Sequence, residues 1–163
     1  MSSRKERIEV AALVAEIVGA VAVVISVVYL AAQVSEGNKE LRSQSHYNAL
    51  SLGSRPLEIE LENAELAKII SNGYEEPEEL SAEEWYRFSQ YQIMAFNAWE
   101  YYYYEHEKSA IPEQLWVGAN AYYVQNARTK PGLWKYWSEY EHIYGEPFHS
   151  YVEEFIEDYS PVE

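Results

Sequence analysis

The feature that most constrains this chain is an apolar run near its N-terminus. Residues 10–32 read VAALVAEIVGAVAVVISVVYLAA and include a single charged side chain, Glu16. At about 1.5 Å per residue, a helix of this length spans roughly 34 Å, which exceeds the hydrocarbon core of a bilayer, about 30 Å thick. The run therefore predicts a transmembrane helix over residues 10–34, preceded by a short flank at residues 1–9.

A cleaved secretory signal is the main alternative for this run. Signal peptides use an apolar stretch of about 7–15 residues that ends in a small-residue cleavage site. Here the apolar stretch is longer, no A-x-A site follows Leu30, and the preceding residues SSRKERIE mix basic with acidic side chains. We therefore expect a single-pass membrane anchor.

A few polar or small side chains recur along the predicted span at alternating steps of three and four residues. A series with this spacing stays on one face of a helix and is typical of a left-handed helix–helix contact. Small and hydroxylated residues at such contacts let two helices approach closely. The series therefore predicts homo-oligomerisation within the lipid bilayer. We call it the polar face, and it consists of Glu16, Gly19, Val23, Ser26, Leu30 and Gln33.

Glu16 is the member of the polar face that costs most to bury. A carboxylate at mid-membrane costs about 2.5–3.5 kcal/mol, and less towards a helix end. One interpretation is that the membrane begins after it, at Ile17, so that Glu16 lies among the headgroups. The alternative is a homo-oligomeric cation channel whose pore is lined by Glu16, Ser26 and Gln33, because acidic rings select cations.

The charge of the chain is concentrated after the predicted anchor. Residues 1–56 carry six Lys or Arg and five Glu, whereas residues 57–163 carry six Lys or Arg and twenty-two acidic side chains, a net charge of −16 for that part. Such a segment repels nucleic acid, and no basic stripe offsets the repulsion. We therefore exclude nucleic acid as a partner and keep cations as a possible one.

The residues after the anchor predict helices throughout. Residues 35–55 are interpreted as a juxtamembrane helix or linker that ends at Pro56, and residues 56–163 as an acidic, aromatic-rich helical domain. Within that domain, Asn72-Gly73 predicts a helix end and Ser81-x-x-Glu84 a capping box. No segment alternates with a period of two. The predicted fold class is all-α, with a long transmembrane helix followed by an acidic bundle of about four to five helices.

The chain offers little that indicates catalysis. It has no cysteine, no G-x-S-x-G elbow, no phosphate-binding glycine loop and no H-E-x-x-H motif. Glu139-x-x-His142 matches half of the ligand pattern of di-iron carboxylate bundles, which need two such motifs and two further Glu. We therefore expect a non-enzymatic protein without a cofactor. A metal-dependent enzyme that uses Glu139 and His142 is the third hypothesis, after the non-enzymatic membrane protein and the cation channel.

The segment from Glu16 to Val34 resembles a group of small uncharacterised bacterial single-pass membrane proteins. Members show a Gly-Ala-Val run, then Ser-x-x-Tyr-Leu-Ala-x-Gln, then a short basic segment that contains Asn. In this chain Gly19-Ala20-Val21, Ser26 to Gln33, and Asn38-Lys39 with Arg42 fit that pattern. Further matches lie around Asn63–Ala67, Leu80–Glu84, Trp116 and Pro131–Trp137. The resemblance implies an aromatic-rich helical domain and no particular activity.

The resemblance also implies a location, the bacterial inner membrane, with the helical domain on the cytoplasmic side. The basic residues do not decide the orientation, because three precede the span (Arg4, Lys5 and Arg7) and three follow it (Lys39, Arg42 and Arg55). The closer spacing of the first three slightly favours a cytoplasmic N-terminus instead. We expect the cytoplasmic domain that the resemblance implies.

Overall fold

The computed structural model describes residues 2–156, and the side chains of residues 4–156. In this part of the chain there are six α-helices and no strand, which confirms the all-α prediction. The helices are α1 (Ser2–Glu62), α2 (Ala64–Glu75), α3 (Ala82–Glu107), α4 (Glu113–Thr129), α5 (Pro131–Tyr140) and α6 (Phe148–Ile156). Residue 1 of the predicted flank and residues 157–163 of the predicted domain lie outside the described residues.

The chain divides into two compact units, Met1–Ser43 and Gln44–Glu163. We call them the N-terminal unit and the helical unit. The N-terminal unit is the first part of α1, and its apolar side chains are exposed. The helical unit contains the remainder of α1 together with α2–α6, in agreement with the predicted bundle.

The helix end predicted at Pro56 is wrong, because α1 continues to Glu62. An interior proline removes one helical hydrogen bond and costs about 3 kcal/mol. Packing within the helical unit favours the continuous helix, since Ala49 and Pro56 are both buried. Further along the same helix, Glu60 accepts a hydrogen bond of 3.3 Å from the Tyr91 hydroxyl of α3.

The helix end predicted at Asn72-Gly73 is also wrong, because α2 runs to Glu75. Gly73 is a packing residue, since a Cβ there would lie 2.4 Å from Cδ2 of Phe88. A small residue therefore lets α3 approach α2 at this turn. The start of α2 is capped by Asn63, whose side chain accepts a hydrogen bond of 3.0 Å from the Leu66 amide.

The central helix of the unit is α3, and its start confirms the predicted capping box. The Ser81 hydroxyl accepts from the Glu84 amide at 3.3 Å, and the Glu84 carboxylate accepts from the Ser81 amide at 2.9 Å. Two α3 side chains form the centre of an aromatic core. Phe96 contacts rings of α5, and Trp99 stacks on Tyr123 of α4 with ring centroids 5.4 Å apart.

Acidic side chains at the end of α2 and in the segment after it pair with bases from α5 and its N-cap. Glu75 accepts from Lys130, and Glu78 accepts from Lys135 at 3.0 Å. The Lys135 ammonium also lies 4.6 Å from the centre of the Trp85 ring. These contacts join α2, α3 and α5, although exposed ion pairs contribute only about 0–1 kcal/mol each.

Candidate functional site

All six residues of the polar face lie on α1 within the N-terminal unit, and all are exposed. Their spacing therefore places them on one side of a continuous helix, as the sequence predicts. Val23 and Leu30 expose 63% and 61% of their surfaces. Residues on the other side are just as open, so no described residue covers either side of this helix. By length and composition α1 can span a membrane.

Gly19 has a structural property that the sequence alone does not give. A Cβ at this position would have nothing within 4 Å. A glycine inside a helix costs about 0.5–1 kcal/mol relative to alanine. No contact among the residues that the structure describes requires a glycine here, whereas a close approach by a second helix would.

The two other polar side chains towards the end of the span bond within their own helix. The Ser26 hydroxyl donates to the Ala22 carbonyl oxygen at 2.8 Å, and the Gln33 amide donates to the Tyr29 hydroxyl at 3.2 Å. The Ser26 hydroxyl proton and one of the two Gln33 amide protons are therefore bonded within a single helix. The Ser26 hydroxyl proton therefore does not need an acceptor in another helix.

The structure does not assemble the predicted pair Glu139 and His142 into a metal-capable group. Glu139 accepts a hydrogen bond of 2.9 Å from the Trp85 indole, which fastens α5 to α3. His142 lies in the short 3-10 helix Glu141–Ile143, after α5. The sequence spacing was compatible with a helical Glu-x-x-His motif, but α5 ends at Tyr140, before the histidine.

A different group could supply three ligand atoms to a metal ion. Glu141, His149 and Glu153 offer atoms that all lie within 4.8 Å of one another, and each side chain is partly exposed. His149 is 3.9 Å from the Glu141 carboxylate and 3.6 Å from those of Glu146 and Glu153. Carboxylates gathered around a partly exposed imidazole are common where no metal binds, so this arrangement alone does not indicate a metal site. The four-residue spacing of His149 and Glu153 places these two on one face of α6, whereas Glu141 meets His149 only through the turn between α5 and α6.

The sequence analysis also missed a cavity inside the helical unit. The cavity has a volume of about 190 Å³ and lies between the last part of α1, α2, α3, α4 and the start of α5. Its walls are mainly aromatic, and we call it the aromatic cavity. Phe96 and Trp99 form its buried part, with 2% and 1% of their surfaces exposed. One signal was present in the sequence: Gln92 is a polar residue at helical spacing from Phe88 and Phe96.

Gln92 is the polar group that distinguishes the aromatic cavity from ordinary core. Its side chain is 1% exposed, and its Nε2 has no hydrogen-bond partner of acceptable geometry. It lies near enough to the Tyr74 hydroxyl to lower that group's pKa, but burial has the larger effect and raises the pKa of Tyr74 to about 12. Burial also raises the pKa of Tyr91 and of Tyr123. The hydroxyls of these three tyrosines are therefore neutral at physiological pH.

The chain matches no known family model, no curated protein and no solved structure. The resemblance to small bacterial membrane proteins therefore stays a prediction.

Proposed function

We propose that this chain is a non-enzymatic, single-pass membrane protein that homo-oligomerises through the polar face of α1 and displays an acidic helical domain. The observation that carries the proposal is the exposed apolar surface of the N-terminal unit. The large apolar side chains from Ile8 to Val34 expose more than half of their surfaces. An apolar patch of this extent indicates contact with lipid or with protein.

The support for self-association comes from the small residues of the polar face. Helix association in a bilayer depends on close van der Waals packing, because lipid tails are as apolar as the side chains. Gly19 and Ser26 lie seven residues apart, so that two copies can approach along two helical turns. The open space at Gly19 leaves room for a neighbouring helix.

The helical unit is the part that the proposed oligomer presents to one side of the membrane. Residues 57–163 carry a net charge of −16, so copies gathered by α1 would form a strongly negative surface. Such a surface concentrates cations and basic partners near it. We place the protein in the bacterial inner membrane with this unit in the cytoplasm. Reporter fusions at the C-terminus test that orientation: an active alkaline phosphatase fusion would contradict it.

Native mass spectrometry of the full chain in detergent tests the assembly. We expect an oligomer for the wild type and a large loss of it for Gly19→Leu, because a leucine prevents close approach. Ala32→Leu is the matched control, since Ala32 is also small and lies on the opposite side of the helix. A monomeric wild type, or equal effects of the two substitutions, would remove the assembly proposal.

A homo-oligomeric cation channel is the second candidate, and Glu16 is the observation that favours it. Glu16 is the one charged residue of the 10–32 run, and it belongs to the polar face. In a ring of copies these carboxylates would surround the mouth of a pore and select cations. Conductance across planar bilayers tests this function. We expect cation-selective currents that Glu16→Gln reduces, and an oligomer without conductance would exclude the channel alone.

A further inference from the structure

Just beyond the predicted span, four hydrogen-bond donors share one side of α1. Ser35, Asn38, Lys39 and Arg42 occupy positions i, i+3, i+4 and i+7, a spacing that keeps side chains on a single helix face. All four are exposed. The series combines a hydroxyl, an amide, an ammonium and a guanidinium group, and it contains no carboxylate. We call it the donor face.

The acidic side chains of this segment lie on another side of the helix. Residues 35–43 hold two bases and two acids, Glu36 and Glu40, so that the segment has no net charge. At about 100° per residue, the centre of the donor face lies about 130° around the helix from the two acids. Charge is therefore segregated within about two helical turns, and the donor face is the positive side.

The donor face has no partner within the chain. Among the residues that the structure describes, none of its four side chains makes a hydrogen bond or an ion pair. The helical unit differs in this respect, since Arg87, Lys130 and Lys135 each pair with a carboxylate. Lys39 and Arg42 are also three residues apart on one helix, where like charges repel each other. An anion between them would offset that repulsion.

The depth of the donor face follows from the proposed span, which ends at Val34. Lys39 lies about 7.5 Å beyond Val34 along the helix axis, and Arg42 about 12 Å. A headgroup layer is about 5–7 Å thick. In a helix each Cα–Cβ bond tilts towards the N-terminus, so side chains that follow a span lean back towards the bilayer. Long basic side chains at the end of a span reach the headgroups in this way.

The donor face is also directed away from the proposed helix–helix contact. Gly37 follows Gln33 by four residues and so continues the series of the polar face beyond the span. The centre of the donor face lies about 150° around the helix from Gly37. In an oligomer formed through the polar face, the donor face therefore lies on the outside, next to lipid and away from the second copy.

From these observations we propose that the donor face binds anionic phospholipid headgroups in the leaflet next to residues 35–43. The Lys39 ammonium and the Arg42 guanidinium pair with phosphate oxygens, and Ser35 and Asn38 donate hydrogen bonds in the same layer. Anionic lipids are preferred because a zwitterionic headgroup carries its own cation, which the two bases repel. The proposal rests on the membrane span of the proposed function and adds the class of lipid to it.

The bases before the span lack this arrangement. Arg4, Lys5 and Arg7 share their segment with Glu6 and Glu9. The three bases are spread over about 160° of the helix circumference. Their Cα–Cβ bonds tilt away from the bilayer, because the span follows them in the chain. We therefore expect the lipid preference to depend on the donor face and little on the N-terminal bases.

Native mass spectrometry of the full chain measures this preference. The protein is kept in a neutral detergent with equal amounts of phosphatidylglycerol, which is anionic, and phosphatidylcholine, which is zwitterionic. The ratio of the two bound lipids is then compared between variants. We expect the wild type to favour phosphatidylglycerol. Lys39→Gln and Arg42→Gln should each lower the ratio about fivefold, the usual effect of one base near an anionic surface.

Two variants serve as matched controls. Lys39→Glu combined with Glu40→Lys keeps the net charge but moves the base about 100° around the helix, off the donor face. We expect it to lower the ratio at least as far as Lys39→Gln. Arg4→Gln combined with Arg7→Gln removes two bases before the span and should change the ratio little. Near-UV circular dichroism verifies the fold of each variant, and all the substituted side chains are exposed.

Several outcomes would overturn the proposal. A ratio that the donor-face substitutions leave unchanged would show that these bases do not select lipid. A preference that survives the exchange of Lys39 and Glu40, or falls equally with the two N-terminal bases, would show that the total charge decides. Loss of bound phosphatidylglycerol to millimolar inorganic phosphate would indicate a site for free anions.

Alkaline carbonate extraction of membranes distinguishes this proposal from the proposed function. Release of the wild type would contradict the membrane span and the headgroup site together. A chain that stays in the membrane fraction but binds both lipids equally would contradict the headgroup site alone.

Discussion

Gly132 at the start of α5 is the glycine of the helical unit where an added Cβ would come closest to other backbone atoms. A Cβ at this position would lie 1.8 Å from the carbonyl oxygen of Gly73 and 3.1 Å from Cα of Tyr74. These are backbone atoms of α2, so no side-chain rotation can relieve the overlap. We predict that Gly132→Ala forces α2 and α5 apart and destabilises the helical unit.

The magnitude follows from the size of that overlap. Contacts of this kind are essentially never shorter than 3.0 Å, so the helices must separate by about 1.2 Å. Overpacking a core typically costs about 1–3 kcal/mol, and the upper end applies where only backbone can move. With about 4 °C per kcal/mol for a domain of this size, a loss of about 3 kcal/mol lowers the Tm by about 12 °C.

Thermal unfolding followed by tryptophan fluorescence measures this change in the full chain in detergent. All five Trp lie in residues 85–137, so that the signal reports on the helical unit alone. Gly118→Ala is the matched control. Gly118 is exposed within α4, and a Cβ there would have nothing within 4 Å.

The two substitutions should have opposite effects. Alanine is favoured over glycine inside a helix, so we expect Gly118→Ala to stabilise the unit by about 0.5–1 kcal/mol. If Gly132→Ala were as stable as the wild type, or shifted the Tm in the same direction as the control, α2 and α5 would not pack as described.

Three further predictions concern the same unit. Ser81→Ala removes half of the capping box of α3 and should lower the free energy of unfolding by about 1 kcal/mol in denaturant titrations. Ser71→Ala is the control, because Ser71 lies on exposed helix surface and its loss should change that free energy little. Asn120→Ala removes the acceptor of the hydrogen bond of 2.8 Å from the Trp99 indole. Because a buried donor is left unpaired, the free energy of unfolding should fall by about 1–3 kcal/mol in the same titrations. An unchanged free energy of unfolding would contradict the bond. Unfolded tyrosine ionises near pH 10, whereas burial raises the pKa of Tyr74 to about 12, so the unfolded chain releases a proton that the folded unit keeps. Stability should therefore be unaffected below about pH 10 and fall between about pH 10 and 12; tyrosinate absorbance that rises near pH 10 without unfolding would be the contrary result.

Much of the fold could be predicted because local signals and tertiary packing agree. The capping box at Ser81 and Glu84 marks a helix start that the structure confirms. Packing against α3 explains the two failures. Pro56 lies inside α1 because its face of the helix is buried, and Gly73 lies inside α2 because Phe88 needs the space.

The candidate sites were less accessible to sequence reasoning. The spacing of the polar face is a property of one helix, so the sequence alone indicates it. A contact with another copy of the chain does not follow from that spacing. The aromatic cavity depends on how five helices pack. Its one signal in the sequence was Gln92, a polar residue at helical spacing from Phe88 and Phe96. The group around His149 arises from the turn between α5 and α6, which brings Glu141 close to it.

Cysteine cross-linking in native membranes tests the central claim, the contact between polar faces, most directly. The chain contains no cysteine, so each single substitution reports on one position. A disulfide needs Cα atoms within about 7 Å of each other. We expect Gly19→Cys, Val23→Cys and Ser26→Cys to form dimers on oxidation.

Val21→Cys and Val28→Cys occupy the opposite side of the same helix and serve as controls that should remain monomeric. Dimers at these two positions, or no dimers at any of the five, would mean that the polar face does not meet its copy in a neighbouring chain.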